Sequence, residues 1–177
     1  MAVQRSVFEE VLKDSYGAYY NIIEPELAME GSSEPLPLAF RADYFSRAEK
    51  YWLSKSIPVW GNEKNEFAYI FSAAEFSPEL AERCVSFALE DGLPRVKPHK
   101  EHQYTNIQVV LLADGLSENV IRAVRRRSFS KSYKFSLYGY STLLLAAVDM
   151  SAGKAYTNKA GRDLVKYFKK LFALRAD

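Results

Sequence analysis

Cysteine and histidine are scarce in this sequence, which contains one cysteine and two histidines in 177 residues. A single thiol, Cys84, excludes an intramolecular disulfide. One cysteine and two histidines are also too few side chains for a closed structural zinc site. We therefore expect neither a disulfide nor a bound metal, and we expect the protein to be cytoplasmic, where thiols stay reduced.

Long apolar segments are absent as well. The opening residues MAVQRSVFEEVLKDSYG include acidic side chains and no continuous apolar stretch, which is unlike a secretory signal. No segment approaches the roughly 20 apolar residues that a transmembrane helix requires. The sequence therefore predicts a soluble protein that has no membrane partner.

The chain also lacks a large excess of charge of one sign, since its formal net charge is +2 at pH 7. So small a charge gives no overall attraction to nucleic acids, and any such binding has to come from a local patch. What the chain does contain is 48% hydrophobic and 14% aromatic residues, values typical of an ordinary globular protein. This composition and the length fit a chain with one main folded domain.

Hydrophobic periodicity predicts an α+β fold in which helices flank a mixed central sheet. Apolar residues at spacings of three and four indicate helices, and alternating or continuously apolar runs indicate strands. The predicted order is α-β-β-β-α-β-α-β-β-α. Its members are a helix within residues 1–27, strands at 38–48, 50–60 and 66–72, a helix at 77–91, a strand at 104–113, a helix at 117–126, an extended run at 131–149, a strand at 154–157 and a final helix that Asn158 caps. Within the extended run, Gly139 marks a bulge or a bend in one long strand, or else the tip of a hairpin.

The N-terminal part is predicted to be an amphipathic helix that Pro25 ends, followed by a linker at 28–37 and a single α+β domain at 38–177. The predicted helix carries Tyr16, Tyr19 and Tyr20. Tyrosine suits both a subunit interface and a helix that docks on its own core. A homodimer through this helix and an intramolecular contact are therefore both open.

The order α-β-β-β-α-β in the first 115 residues resembles the core of restriction-endonuclease-like nucleases. That family needs a carboxylate on one strand and an acid-x-Lys motif on its neighbour, because residues two apart share a sheet face and can hold a metal and a water together. The chain contains no acid-x-Lys motif. A degenerate or rearranged metal-dependent nuclease, built from Asp43, Glu49 and Lys50 with Glu66, is the alternative function.

Positive charge is concentrated in one segment, RRRSFSKSYKF at 125–135, which holds five cations and three aromatic rings. Cations neutralise phosphates, and rings such as Phe129, Tyr133 or Tyr138 stack on bases. The predicted anion-binding residues are Arg125, Arg126, Arg127, Lys131 and Lys134. In the competing interpretation, the arginines lie at the C-terminal end of a helix, where cations suit the helix dipole. Tyr133, Phe135 and Leu137 then alternate into the core of the domain as strand residues.

No other pattern indicates chemistry. His99 and His102 are expected to form local hydrogen bonds, because a spacing of three in an extended segment points the two rings to opposite sides. Glycine-rich phosphate loops and a serine between glycines are absent. We therefore predict no catalytic residue and no cofactor, and favour a non-catalytic binding module whose partner is a nucleic acid or an acidic protein.

Three stretches carry a family resemblance: RVKPHKEHQYTNIQVVLLAD at 95–114, RSFSKSYKFSLYGYSTLLLAAVDMSAG at 127–153 and KAYTNKAG at 154–161. Together they resemble an uncharacterised bacterial domain family of about this length, from Phe40 onward. The resemblance implies a bacterial, cytoplasmic origin. It transfers no functional residue.

Overall fold

The computed structural model describes residues 4–32, 35–47 and 63–174, so the strand predicted at 50–60 lies outside the described residues. In chain order the elements are α1 (Arg5–Gly17), β1 (Asn21–Ile23), α2 (Pro25–Ala28), β2 (Leu38–Arg47), β3 (Glu63–Ala73), α3 (Pro78–Arg95), β4 (His102–Ala113), α4 (Glu118–Arg126), β5 (Ser130–Ser132), β6 (Tyr140–Asp149), β7 (Lys154–Thr157) and α5 (Arg162–Ala173).

The strands form a mixed sheet in the order β1-β2-β3-β4-β6-β5, and β7 also pairs with β6. β2 is antiparallel to β1 and β3, whereas β3, β4 and β6 are parallel neighbours. Parallel neighbours need a crossover, which α3 and α4 supply. The predicted α+β class with a helix-flanked mixed sheet is confirmed.

Helices cover both faces of the sheet. One core lies between the sheet and α2, α3 and α4, and the other lies between the sheet and α1 and α5. Alternate residues of β4 enter the two cores, Ile107 and Val109 on the first side and Val110 and Leu112 on the second. Burying one such side chain contributes about 1.5–3 kcal/mol, which explains the continuously apolar sequence of this central strand.

The first helix is shorter than predicted, because α1 ends at Gly17. The next residues pair with β2, where Ile22 lies opposite Ala42, so sheet hydrogen bonding replaces the helix. Pro25 occupies the first turn of α2, where its missing N–H costs nothing. The buried stripe of α1, Phe8, Leu12 and Tyr16, packs on its own sheet. The homodimer stays a prediction.

Serine residues cap α3 and α4 at the positions where the two helices are predicted to begin. Ser77 Oγ accepts a hydrogen bond from the Leu80 N–H at 3.0 Å, and Ser117 Oγ accepts one from the Val120 N–H at 3.3 Å. α3 continues beyond Gly92, where we predicted its end. Gly92 is buried, and a Cβ there would lie 3.1 Å from Ile107 Cδ1, so this glycine lets the helix pass close to the sheet.

Of the alternatives predicted for residues 131–149, the structure has the hairpin. β5 and β6 pair antiparallel, and residues 133–139 form the turn between them. Within it, Lys134, Phe135 and Ser136 have φ of 46°, 55° and 68°. Left-handed conformations cost non-glycine residues of order 1 kcal/mol each, and the turn is held by hydrogen bonds such as that from the Tyr138 N–H to the Tyr133 carbonyl at 3.1 Å.

Among the described helices, none combines the length and the apolar composition that crossing a membrane would require.

Candidate anion-binding edge

The predicted cations lie in α4, in β5 and in the residues that follow each of them. Arg125 and Arg126 lie in the last turn of α4, Arg127 caps that helix, Lys131 lies in β5, and Lys134 lies in the turn after it. β5 pairs with the beginning of β6 and β7 with its end, both along the edge that β4 leaves free. Of the five residues, Lys131 thus lies on an edge strand, whereas Arg125 and Arg126 lie on a helix that packs on one face of the sheet.

Their electrostatic surroundings differ. Arg127 is compensated, because its Nε lies 2.9 Å from Glu82 Oε2 and its Nη1 donates to the Ser128 carbonyl at 2.8 Å. Arg125 lies 5.3 Å from the Tyr156 ring centroid, and Lys134 lies 4.4 Å from that of Tyr138. Across 4–32, 35–47 and 63–174, no carboxylate pairs with the other four predicted cations: Arg125, Arg126, Lys131 and Lys134.

The aromatic residues of this segment fit neither interpretation completely. Phe129 and Tyr133 pack against the core, and the Tyr133 hydroxyl is 2.9 Å from Ser141 Oγ, so neither ring is free to stack on a base. The predicted alternation into the core is wrong for Phe135 and Leu137, which are 98% and 74% exposed. A turn does not alternate its side chains between two faces as a strand does.

A groove of about 370 Å³ opens at this edge, between β5 and the beginning of α5. Its lining contains two cations, Lys159 and Arg162, both exposed, and no carboxylate among the described residues. Ser128, Ser130 and Thr142 add hydroxyl groups. We call this cavity the edge groove, and we call its two cations together with Arg125, Arg126, Lys131 and Lys134 the basic edge.

Sequence reasoning missed Lys159 and Arg162. They lie about 30 positions after the basic segment, and only the pairing of β7 with β6 brings them to the same edge. The available signal was the repeated positive charge around Gly161 in NKAGR. That pattern by itself indicates no more than a solvated turn before a helix.

We predicted that Asn158 caps the final helix, but this residue is buried and its side chain bonds to β6 and to the segment before β5. Its Nδ2 donates to the carbonyls of Leu143 at 2.9 Å and Arg127 at 3.1 Å, and its Oδ1 accepts from the N–H groups of Leu145 and Gly161. The cap residue of α5 is Gly161. The buried amide therefore bonds to the part of the outer edge of β6 that lies between β5 and β7 and pairs with neither strand.

The carboxylates of the nuclease alternative do not converge. Asp43 pairs with Phe67 across β2 and β3, and Glu66 pairs with Tyr44, so the two acids point to opposite faces of the sheet. Glu49 and Lys50 lie outside the described residues. Within the described ranges, no group of three His, Cys, Asp or Glu side chains is arranged to hold a metal.

Asp43 belongs to a buried ion network beneath α3. Its Oδ2 accepts from Arg95 Nη1 at 2.7 Å and from Arg41 Nη2 at 3.3 Å, and the Tyr69 hydroxyl donates to Asp91 Oδ2 at 2.5 Å. Burial raises the pKa of Tyr69, Arg95 opposes this rise, and the hydrogen bond to Asp91 adds to it. Two arginines and two aspartates balance in charge, which suits a structural network.

The histidines form hydrogen bonds, as expected, but the prediction that their rings point to opposite sides is wrong. The two ring centroids lie 6.3 Å apart, because residues 100 and 101 form a turn and the segment is not extended. His102 Nδ1 lies 2.7 Å from the Tyr138 carbonyl, which can only accept, so this nitrogen carries the proton. His102 Nε2 lies 2.9 Å from Thr105 Oγ1, and His99 Nε2 lies 3.0 Å from Glu63 Oε2. Although burial opposes it, hydrogen bonds from Asn65 and His99 hold the pKa of Glu63 below its usual value.

Comparison with known proteins gives one family. A family model described as "Domain of unknown function (DUF8052)" matches residues 5–170, which run from the start of α1 through most of α5. No curated protein and no solved structure matches the chain. The predicted resemblance to an uncharacterised domain family is thereby confirmed.

Proposed function

We propose that this chain, which belongs to the DUF8052 family, is a non-catalytic binding module that holds nucleic acid at its basic edge. The observation that carries the proposal is the edge groove, where Lys159 and Arg162 face three hydroxyl groups and no described carboxylate. Phosphate oxygens accept hydrogen bonds from hydroxyls and pair with cations, so the lining matches a phosphate backbone.

The surrounding residues extend the contact beyond the groove. Arg125, Arg126, Lys131 and Lys134 are exposed, and no described carboxylate competes for them. Phe135 offers an exposed ring beside Lys134, which suits stacking on an unpaired base. The proposal includes a bacterial, cytoplasmic location, because a chain with a single cysteine cannot depend on an intramolecular disulfide and so fits a reducing compartment.

Fluorescence anisotropy with labelled single-stranded RNA and duplex DNA tests this proposal. We expect binding that weakens steeply with salt, because each phosphate contact on a duplex contributes a slope of about −0.9 to the dependence of log K on log salt concentration. Replacing Lys159 and Arg162 together by alanine is expected to weaken binding at least tenfold and to reduce that slope by about two.

The matched control removes two cations elsewhere. Lys97 and Lys100 are exposed in the loop before β4, outside the basic edge, so replacing both by alanine should change affinity less than twofold. Equal losses in the two double variants would indicate attraction by overall charge without a defined site. Failure of both nucleic acids to bind at low salt, with retention of poly-glutamate, would replace nucleic acid by an acidic protein as the partner.

A further inference from the structure

A larger cleft, of about 700 Å³, lies on the sheet face that α1 and α5 cover. Its walls are the C-terminal end of α1 and the beginning of α5, and its floor is formed by β3, β4 and β6. This volume is within the range of sites that enclose small ligands, about 300–1,000 Å³. We call it the tyrosine cleft.

The tyrosine cleft is open because the two helices cover only part of the sheet. Along β6, Ala146 and Val148 are buried under them, whereas Thr142 and Leu144 on the same face stay partly exposed in the cleft. An interior strand of a parallel sheet is normally covered on both faces. The floor thus presents a leucine that no described side chain covers completely.

Tyrosine rings dominate the walls. Tyr16 is edge-on to Tyr20 with centroids 4.9 Å apart, and edge-on to Tyr167 at 6.2 Å. Tyr19, which is 80% exposed, and Tyr140 complete the five tyrosines of the lining. The face of an aromatic ring carries partial negative charge and attracts cations.

A carboxylate lies in the floor. Glu66 accepts hydrogen bonds from the Tyr20 hydroxyl and, at 3.4 Å, from Asn106 Nδ2. None of the described residues that line the cleft is lysine, arginine or histidine, and no described cation forms an ion pair with Glu66. The other acid of the lining, Asp163, is exposed and its Oδ1 lies 3.7 Å from Lys166 Nζ, so Glu66 is the acid of the lining that no described cation compensates.

The charge of Glu66 affects the pKa of a neighbouring tyrosine. Burial raises the pKa of Tyr104, and the proximity of Glu66 raises it further. Lys64, two residues before Glu66 in β3, has its Nζ 5.7 Å from the centroid of the Tyr104 ring and forms no ion pair with a described carboxylate. The cleft is therefore negative and aromatic, in contrast to the basic edge groove, which it meets at Thr142 and Ala160.

We propose that the tyrosine cleft binds a small organic cation, with a substituted ammonium group against Glu66 and the tyrosine rings and an apolar portion on Leu144. A cation gains from both the carboxylate and the ring faces, whereas an anion is repelled by both and a neutral ligand gains only from contact. The tyrosine cleft shares Thr142 and Ala160 with the edge groove, but Glu66 and Tyr19 line only the cleft and Lys159 and Arg162 line only the groove. Either proposal can therefore fail while the other holds.

Isothermal titration calorimetry with choline tests the inference, and the reference ligand is the neutral isostere in which carbon replaces the quaternary nitrogen. We expect choline to bind at least tenfold more tightly than this isostere, and benzoate not to bind. Replacing Glu66 by glutamine should weaken choline binding at least tenfold. The control Glu90→Gln removes an exposed acid of α3, in the opposite helical layer, and should leave the affinity unchanged.

A second variant avoids dependence on the folding of Glu66→Gln. Tyr19 is exposed, so Tyr19→Ala should keep the far-ultraviolet circular dichroism of the parent and weaken choline binding severalfold. Equal affinities for choline and its neutral isostere would overturn the proposal and leave a site for aromatic contact alone. Absence of heat with choline at millimolar concentration would also overturn it, whatever the outcome of the nucleic-acid experiment.

Discussion

Asn158 Oδ1 accepts a hydrogen bond from the backbone N–H of Leu145 at 3.1 Å, so an amide side chain takes the place of a paired strand in the middle of β6. The Asn158 N–H completes the pattern by donating to the Leu145 carbonyl at 3.0 Å. Buried backbone groups need partners, and this residue supplies them where β5 has ended and β7 has not begun.

Replacing Asn158 by alanine should lower the free energy of unfolding by about 3 kcal/mol, because the buried Leu145 N–H and Leu143 carbonyl lose partners at about 1–3 kcal/mol each. Urea denaturation followed by circular dichroism measures the loss. Asn158→Asp keeps the acceptor but turns a second oxygen toward the two carbonyls, so it should destabilise too. A loss below 1 kcal/mol in both variants would show that water replaces the amide.

Gly161→Ala should destabilise the protein by about 1–3 kcal/mol through crowding. A Cβ at this position would lie 2.9 Å from Asn158 Oδ1 and 3.1 Å from the Leu145 carbonyl oxygen. The control is Gly17→Ala, whose Cβ would meet only Ile22 Cγ1 at an ordinary 3.8 Å. Thermal unfolding should show a lower Tm for the first variant alone, and equal shifts would contradict the steric reason.

Gly139→Ala should lower the free energy of unfolding further, by at least about 3 kcal/mol, because an alanine there has both backbone strain and a steric clash. Its φ is 78°, and a Cβ would lie 2.5 Å from the Gln103 carbonyl oxygen and 2.6 Å from His102 Nδ1. Gly31→Ala is the matched comparison, since its φ is 82° but nothing lies within 4 Å of the added carbon. Urea denaturation measures the free energy of unfolding of both variants, and the difference between their losses gives the contribution of the steric clash. A difference near zero would contradict this explanation.

Asp149 should make the free energy of unfolding depend on pH in the acidic range. Although burial opposes it, hydrogen bonds from the Ser151 hydroxyl at 2.7 Å and the N–H groups of Ala152 and Leu116 lower the pKa of this carboxyl below its usual 3.8. A depressed pKa contributes stability that is complete above the unfolded pKa and is lost as pH falls through the folded pKa.

The Asp149→Asn variant should therefore be about 2 kcal/mol less stable than the parent at pH 7, since hydrogen bonds to a charged acceptor contribute about 1.5–3 kcal/mol. The difference in free energy of unfolding between the parent and the variant should narrow as the pH falls below about 4. Urea denaturation at a series of pH values measures it. A gap that stays constant from pH 7 to pH 3 would assign the effect to packing alone.

Asp43 is expected to act in stability and not in catalysis. Asp43→Ala should cost about 3 kcal/mol, the lower end of the range for breaking a buried ion pair, because Arg95 keeps 26% of its side chain exposed. The double variant Asp43→Leu with Arg95→Met should be closer to the parent in urea denaturation, since no unpaired charge remains. A double variant less stable than Asp43→Ala would contradict this account.

Local signals were sufficient for several elements. The sequences SPE and SEN place a hydroxyl before each of two helices, and the caps at Ser77 and Ser117 depend on atoms within three residues. The apolar sequence of β4 likewise indicated a strand with both faces covered, because burial on two faces leaves no place for alternating polar residues.

Other features depend on partners far away in the chain. Residues 21–23 fit a helix by their spacing, but pairing with β2 decides their conformation. The exposure of Phe135 follows from a left-handed turn that Gly139 closes against His102 and Gln103. Periodicity carries no information about such contacts, because they compete with local preference only once the sheet exists.

The sequence by itself determined the α+β class, the central strand, the two capped helices and the segment with the most positive charge, since each follows from hydrophobic burial or from hydrogen bonds between neighbours. Only the tertiary structure decided that Lys159 and Arg162 join that segment at one edge, and that Glu66 lies among tyrosines from α1, β6 and α5. Both sites combine residues from strands and helices distant in sequence, and pairing across β6 and the partial covering of its face bring them together.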